Sequence, residues 1–408
     1  MDSCVTQDTP LIDYDEAIRL LLGQARPVEE TETVDLADAL GRVLAESVQS
    51  SVDVPPLDNS AMDGYAVRAG EVEPGRPMPV SQRIPAGSVG SELGPGSCAR
   101  IFTGAPLPPG ADSVIMQERA SEQPEGVAFE STPPPGDNVR RAGSDIQAGS
   151  TILEAGVMLD SQHLGLVASV GVTRMTVRRK LTVATFFTGD ELVEPGKALG
   201  KGQIYNSNQY HLNALMRRFE CDVVTFGIVE DSLEATRNTI REAAAKADLI
   251  ITSGGVSVGE EDHVRVAIEE LGSISMWRLK IKPGKPLVLG HVDATPIIGL
   301  PGNPVSSFVT CLLFVHPFLR KMQGQEEVLP LSYPVKADFE WTRPGIRREF
   351  LRGKVRNDNG VAFAEIYPKQ GSDVLSSTVW ANGLVVIPEE RVIARGESVQ
   401  FIPFKELL

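Results

Sequence analysis

Three short segments of this 408-residue chain follow apolar runs and combine glycine with acidic, hydroxyl or proline residues. The first is Thr188-Gly189-Asp190-Glu191-Leu192. Gly189 permits a sharp turn that sets Asp190 and Glu191 side by side. Two adjacent carboxylates can ligate Mg2+, a hard cation that takes oxygen ligands and bridges phosphates; the same pair also suits a solvated turn. The second runs from Ser253-Gly254-Gly255 through Ser257 to Asp262. Glycines and serines before a helix can present backbone N–H groups as an anion cradle. Neither the Walker lysine nor the dinucleotide glycine pattern is present. Asp262 can serve a metal or simply complement the helix dipole. In the third, Pro301-Gly302-Asn303-Pro304, Asn303 suits an N-cap and Pro304 a first helical position. Its two prolines fit either a rigid pocket wall or a structural turn. Between the last two segments lies Lys280-Ile281-Lys282-Pro283-Gly284-Lys285-Pro286. A lysine-rich turn beside an anion cradle suits a di- or polyanionic substrate, although such clusters also commonly face water.

These segments need a frame. Apolar runs predict strands at 181–187, 221–229, 248–252, 274–281, 286–289 and 295–298. Helical periodicity covers 206–219, 232–246, 260–271 and 304–322, with Asn206 and Gln209 in capping-box spacing and Asp231 opening the second helix. Strands alternating with helices predict parallel βαβ units and a doubly wound α/β domain. Ligands of such sheets bind outside the carboxyl ends of the strands, where the three segments fall.

The flanks read differently. Helices are expected at 11–23, 36–44 and 160–170, the last capped by Asp160 and stopped by Gly171. From about 51 to 140 the chain is dense in Pro and Gly between short apolar runs, which predicts a β-rich insert. Within it, Pro55-Pro56-Leu57-Asp58-Asn59-Ser60-Ala61-Met62-Asp63-Gly64-Tyr65 is too polar for core and reads as a ligand or interface loop. The turns around Thr103 and Asp145 are similar. After about 323 the pattern is all β, a barrel or sandwich.

Bulk properties exclude some classes. The formal net charge is −15, which argues against nucleic acid as a partner. Cys4, Cys98, Cys221 and Cys311 form no CxxC pair, as in a reducing compartment. There is no signal peptide and no membrane-length apolar stretch, so a cytoplasmic protein without membrane contact is expected.

Taken in order, PPLDNSAMDGYAV, FTGAPLPPGAD, RRAGSDI, TGDEL, SGGVSVGEEDH, KIKPGKP, LPGNPVSS and QGSDVLSS resemble the family of MoeA and the gephyrin E domain. The strings run from Pro55 to Ser377 and so span most of the chain. The resemblance implies an α/β multidomain protein: an elongated helical part (1–50 and 141–178), a β-rich insert (51–140), a molybdopterin-binding α/β domain (179–325) and a C-terminal β domain (326–408). It implies a homodimer with the active site between subunits, and molybdenum insertion from molybdate into adenylylated molybdopterin with release of AMP. A molybdopterin adenylyltransferase would be a possible transient partner. Glu191, Asp231 and Asp262 match the family's acidic positions, with Mg2+ as the implied ion and Lys282 as a further catalytic group. Asp58, Thr103 and Asp145 match its positions across the cleft. Ser253, Gly254, Gly255, Ser257, Lys285, Pro301, Gly302, Asn303, Pro304 and Ser372 match the anion-binding and wall positions. Two departures stand out: Phe187 replaces a small residue, and Arg278 stands where Lys is frequent. The alternatives are a molybdopterin adenylyltransferase, which needs neither the insert nor the C-terminal domain, and a non-catalytic gephyrin-like scaffold.

Overall fold

The computed structural model describes residues 11–255 and 263–408. They fall into two compact units, one holding the chain up to Glu32, Gly41–Val43 and Arg178–Leu408, the other Thr33–Leu40 and Leu44–Val177.

The first unit is organised on a six-stranded sheet in which Thr182–Thr188 lies next to one edge strand. Thr182–Thr188 pairs in parallel with Asp222–Val229 on one side and Leu249–Ser253 on the other, and Leu249–Ser253 pairs in parallel with Thr295–Leu300. The side chains of Thr182–Thr188 alternate between two cores, as the two-residue period of a strand requires. Val183 and Phe187 enter one core, and Ala184 and Phe186 the other. The continuous apolar reading of the strand follows from helices covering both faces. The sheet is not wholly parallel. Gly272–Arg278 and Pro286–Val292 pair antiparallel, and Pro286–Val292 pairs antiparallel with Thr295–Leu300 across a tight turn at Asp293, whose φ is 52°.

Helix Ser207–Arg218 is capped by Asn206, whose side chain accepts from Gln209 N. Helix Leu233–Ala244 is capped by Ser232 rather than by the expected Asp231, because the Ser232 hydroxyl is the group that reaches Ala235 N. The expected helix over 304–322 is continuous but changes gauge. Pro304–Thr310 and His316–Met322 are α-helical, and the fully buried Cys311–Val315 between them is a π-turn. Helix Tyr14–Leu22 buries Ala17, Ile18 and Leu21 in this same core, so the N-terminal segment up to Glu32 packs with the α/β sheet.

His211 and His316 lie in that packing. His316 stacks on Phe219 with ring centroids 4.1 Å apart. Burial lowers the His211 pKa to about 4 and that of His316 to about 3, with the Arg320 charge adding to the second. An unfolded histidine titrates near about 6.5. Between these values the unfolded chain binds more protons than the folded one, so stability is full above about pH 6.5 and falls as pH drops. Chemical denaturation is expected to show a loss on the order of 2–3 kcal/mol per histidine between about pH 6.5 and pH 4.5; a flat profile would contradict the burial argument.

The C-terminal segment closes a five-stranded barrel in the order Arg348–Asp358, Val361–Ile366, Tyr333–Ala337, Ser398–Pro403, Gly383–Ile387, the last pairing back with the first. Gly353 is where the long strand passes from one neighbour to the other; a Cβ there would lie 2.6 Å from Val385 Cγ2. The short strand Ile281–Lys282 pairs in parallel with Arg348 and Glu349, so the lysine-rich turn is stitched to the barrel.

The second unit is mostly β. A four-stranded sheet runs Val80–Ile84, Cys98–Ile101, Gly64–Val67, Ser113–Met116. Tyr65 and Val67 enter one core and Ala66 the other, so Gly64–Val67 is buried on both faces. Helix Ser161–Ser169 is capped by Asp160 as expected and packs with Leu44, Leu153 and Val177. The helix expected at 36–44 is only a single 3-10 turn, Leu36–Asp38, because Gly41 takes φ 75° and ends helical geometry. Among the described residues no helix is long and apolar enough to cross a membrane.

Candidate active site

At the carboxyl ends of the parallel strands the first unit opens a cavity of about 810 Å3. Thr188, Ser253 and Pro301 reach it from the ends of three neighbouring strands. The approach of two of those ends demands glycine. Gly254 has φ 101°, and a Cβ there would sit 2.4 Å from Thr188 O; Gly255 has φ 59°, with a Cβ 2.7 Å from Val264 Cγ2. Ser253 Oγ donates to Pro301 O at 2.9 Å and accepts from Asn208 Nδ2 at 2.9 Å. Asn208 Nδ2 also donates to Gly302 O at 2.7 Å. One amide therefore locks the second and third segments together. Sequence reasoning missed Asn208; the signal was a second asparagine just inside a helix already capped by Asn206.

Asn303 occupies the N-cap position of Pro304–Thr310, yet its side chain makes no capping bond and lines the cavity. The helix start is engaged elsewhere: Val305 N donates to Ser372 O at 3.0 Å, docking a barrel loop onto it. That loop is held from behind by the fully buried Arg352. Its Nη2 donates to Gly371 O at 3.0 Å, and its backbone N donates to Gln370 Oε1 at 3.0 Å. Burial lowers the Arg352 pKa to about 10, so it stays charged at neutral pH.

Lys282, Lys285 and Arg347 bring positive charge to the cavity, with Glu191 and Asp373 as its acids. Arg347, from the barrel, was not anticipated. Among the described residues Lys285 has no ion-pair partner, whereas Lys282 Nζ lies 3.0 Å from Glu349 Oε2. Glu191 is exposed, and its carboxylate has no hydrogen-bond partner among the described residues. Phe187 lines the cavity from a fully buried position in the core, so its extra bulk is fixed there.

Of the expected set, Glu191, Ser253, Gly255, Lys282, Lys285, Pro301, Gly302, Asn303, Pro304 and Ser372 line this one cavity, and Gly254 adjoins it. Asp231 is not among the lining residues. Ser257 and Asp262 lie outside the described residues. Among the described residues no three His, Cys, Asp or Glu side chains converge as metal ligands. A lone Glu191 carboxylate still fits Mg2+, which typically keeps its waters and takes one or two carboxylates plus substrate phosphates rather than a protein cage.

The second unit gathers the other expected residues. Asp58 accepts from Ala142 N at 2.8 Å and Arg141 Nη1 at 2.6 Å. The Ala142 N–H, then Arg141, hold its carboxyl below the usual range. Thr103 gives both its N–H and its hydroxyl to Asp63 Oδ1, each at 2.8 Å. Gly104 N bonds Ser60 O, Leu107 N bonds Asp58 O, and Asp145 N bonds Val54 O. The segments carrying Asp58, Thr103 and Asp145 are thus tied to one another.

Residues 12–171 match the family described as MoeA N-terminal region (domain I and II). Residues 184–321 match a probable molybdopterin binding domain, and 334–404 the MoeA C-terminal region (domain IV). A molybdopterin molybdenumtransferase of Haemophilus influenzae is 38% identical over 403 residues, covering 98% of this chain and 100% of that one. One from Nostoc sp. is 39% identical over 384 residues, covering 91% and 88%. The solved structure of a molybdopterin biosynthesis moeA protein from Pyrococcus horikoshii OT3 superposes with a TM-score of 0.83 at 30% identity, covering 97% and 100%.

Proposed function

The chain belongs to the MoeA family of molybdopterin molybdenumtransferases, and from that premise we propose that its cavity inserts molybdenum from molybdate into adenylylated molybdopterin, releasing AMP. It is a transferase of molybdenum cofactor biosynthesis. The observation that carries the finer reading is the meeting of Lys282, Lys285 and Arg347 with the strand-end loops in one cavity. A pyrophosphate-linked substrate and a metal oxyanion both need such concentrated positive charge.

Lys282, Lys285 and Arg347 bind and orient the anionic groups and offset charge as the phosphoanhydride breaks. The Asn208–Ser253–Pro301 links and the Pro301–Pro304 turn keep the wall rigid, so the geometry requires little rearrangement during reaction. Glu191 positions either Mg2+ or the attacking water. Mg2+, when bound, would polarise the pyrophosphate oxygens. Asp231 and Asp262 belong to the same proposed acidic set. Ser372, set by Val305 and Arg352, completes the anion site.

The proposal extends to a homodimer in which Asp58, Thr103 and Asp145 face the reaction from the other subunit. Sedimentation should then give a particle of about twice the 44.0 kDa chain mass; a monomer at assay concentrations would remove this part. A molybdopterin adenylyltransferase, which makes the adenylylated substrate, is the proposed transient partner. The buried, unpaired Cys98, Cys221 and Cys311 fit a reducing cytoplasm.

The discriminating experiment supplies the purified chain with either substrate set. Molybdate-dependent AMP release from adenylylated molybdopterin supports the proposal. Adenylylated pterin formed from ATP and molybdopterin would instead identify an adenylyltransferase, and no turnover with either set would favour a scaffold.

A further inference from the structure

Among the described residues Glu349 is the one Asp or Glu that is buried, only 4% exposed. It enters the site through strand register. Lys282 and Glu349 are direct partners where Ile281–Lys282 pairs with the start of the long barrel strand. Side chains alternate along a strand. Arg348 points away, to Asp15 at 3.0 Å, Glu389 at 3.5 Å and the Tyr14 ring at 5.4 Å. Glu349 turns to the other side, where Arg347 also lines the cavity. Its Oε2 lies 3.0 Å from Lys282 Nζ as an ion pair without hydrogen-bond alignment, and has no hydrogen-bond partner. The lysine side chain is 45% exposed, against 5% for the carboxylate. The cation therefore faces the cavity while its counter-charge sits behind it.

A buried carboxylate needs compensating charge; the buried Arg352 supplies part of it, and Lys282, in direct contact, is held where Glu349 needs the rest. An ammonium has three donors, which leaves others for an incoming anion. The fixed negative charge behind it also subtracts from its pull on that anion. We propose that Glu349 is a positioning residue that fixes Lys282 at the cavity wall and restrains its affinity for anions, so that a phosphorylated product can leave. The proposal rests on the reading of the cavity as an anion site.

Two measurements test it, neither requiring turnover. The first is calorimetric titration with inorganic phosphate. Glu349→Gln should bind phosphate on the order of tenfold more tightly than the natural protein. The gain should vanish in Lys282→Met/Glu349→Gln, and Glu349→Asp, which keeps the charge, should stay near the natural value. Phosphate affinity unchanged or weakened in Glu349→Gln would overturn the proposal. The second is thermal unfolding, which applies even where Glu349→Gln alone folds poorly. Lys282→Met leaves the carboxylate with only the buried Arg352 charge to offset it and should melt lower than the natural protein, and adding Glu349→Gln should recover part of that loss. A double variant melting no higher than Lys282→Met would overturn the pairing. If the natural protein releases no AMP while the phosphate result holds, the insertion reading fails alone; if it releases AMP while Glu349→Gln binds phosphate as before, this inference fails alone.

Discussion

Glu191→Gln should abolish nearly all AMP release while leaving the fold intact. The expected loss in kcat is roughly 10²–10⁴-fold, the range for removing a positioned acid–base group. Glutamine keeps the volume but cannot carry the negative charge needed to hold Mg2+ or accept a proton from water. The Glu191 carboxylate is exposed and has no hydrogen-bond partner among the described residues, so no side-chain hydrogen bond among them is lost. What the turn does use is the backbone: Ile204 N donates to Glu191 O at 2.8 Å, and substitution leaves that bond in place. The checks are single-turnover AMP release beside a thermal melt. Activity within a few-fold of the natural protein would remove Glu191 from the chemistry.

Lys282→Met should damage binding and stability together. A hydrogen bond to a charged group is worth about 1.5–3 kcal/mol, so kcat/KM for molybdate should fall roughly 10- to 100-fold. Breaking a fully buried ion pair costs about 3–5 kcal/mol. Here the lysine is 45% exposed, so solvent screens the loss; roughly 1–2 kcal/mol in denaturant unfolding is expected. Lys282→Arg keeps the charge but replaces a compact ammonium with a planar fork, so it should recover stability more fully than kcat/KM. Steady-state kinetics with molybdate varied, alongside urea unfolding, separates the two effects. Unchanged kcat/KM in Lys282→Met would place the oxyanion elsewhere.

Much of this frame could be read from local patterns, because local patterns cause it. Asp160 and Asn206 precede apolar helical repeats, and both cap. The apolar run at 182–188 is a strand buried on both faces. Strand direction is not a local property, which is why the antiparallel edge made by Gly272–Arg278 and Pro286–Val292 went unread. The turn at Asp293 and Ala294 lacks the glycine that commonly marks a hairpin. The π-turn at Cys311–Val315 is likewise invisible, since its residues are buried all round and carry no helical stripe.

The site divides along similar lines. Lys282, Lys285, Ser253 and the Pro301–Pro304 turn were found because glycine, proline and charge concentrate in short segments. Asn208 and Arg347 were missed because each reaches the cavity from another element, and Glu349 because it acts on the site only through its pairing with Lys282. In Arg347-Arg348-Glu349-Phe350, an acid within a charged stretch reads as solvent-facing; only the pairing with Ile281–Lys282 buries it. Asp231 shows the converse. Its spacing suggested a helix opener, but the Ser232 hydroxyl reached the helix N–H and took the cap.

In the proposed function, one cavity couples cleavage of the phosphoanhydride to entry of the metal. The most direct measurement of this coupling follows AMP release and molybdenum incorporation in the same reaction as molybdate is titrated into purified protein and adenylylated molybdopterin. The two should rise together in equal amounts, and neither should occur without molybdate. AMP appearing at full rate with no metal incorporated, or incorporation with the adenylyl group still attached, would contradict it.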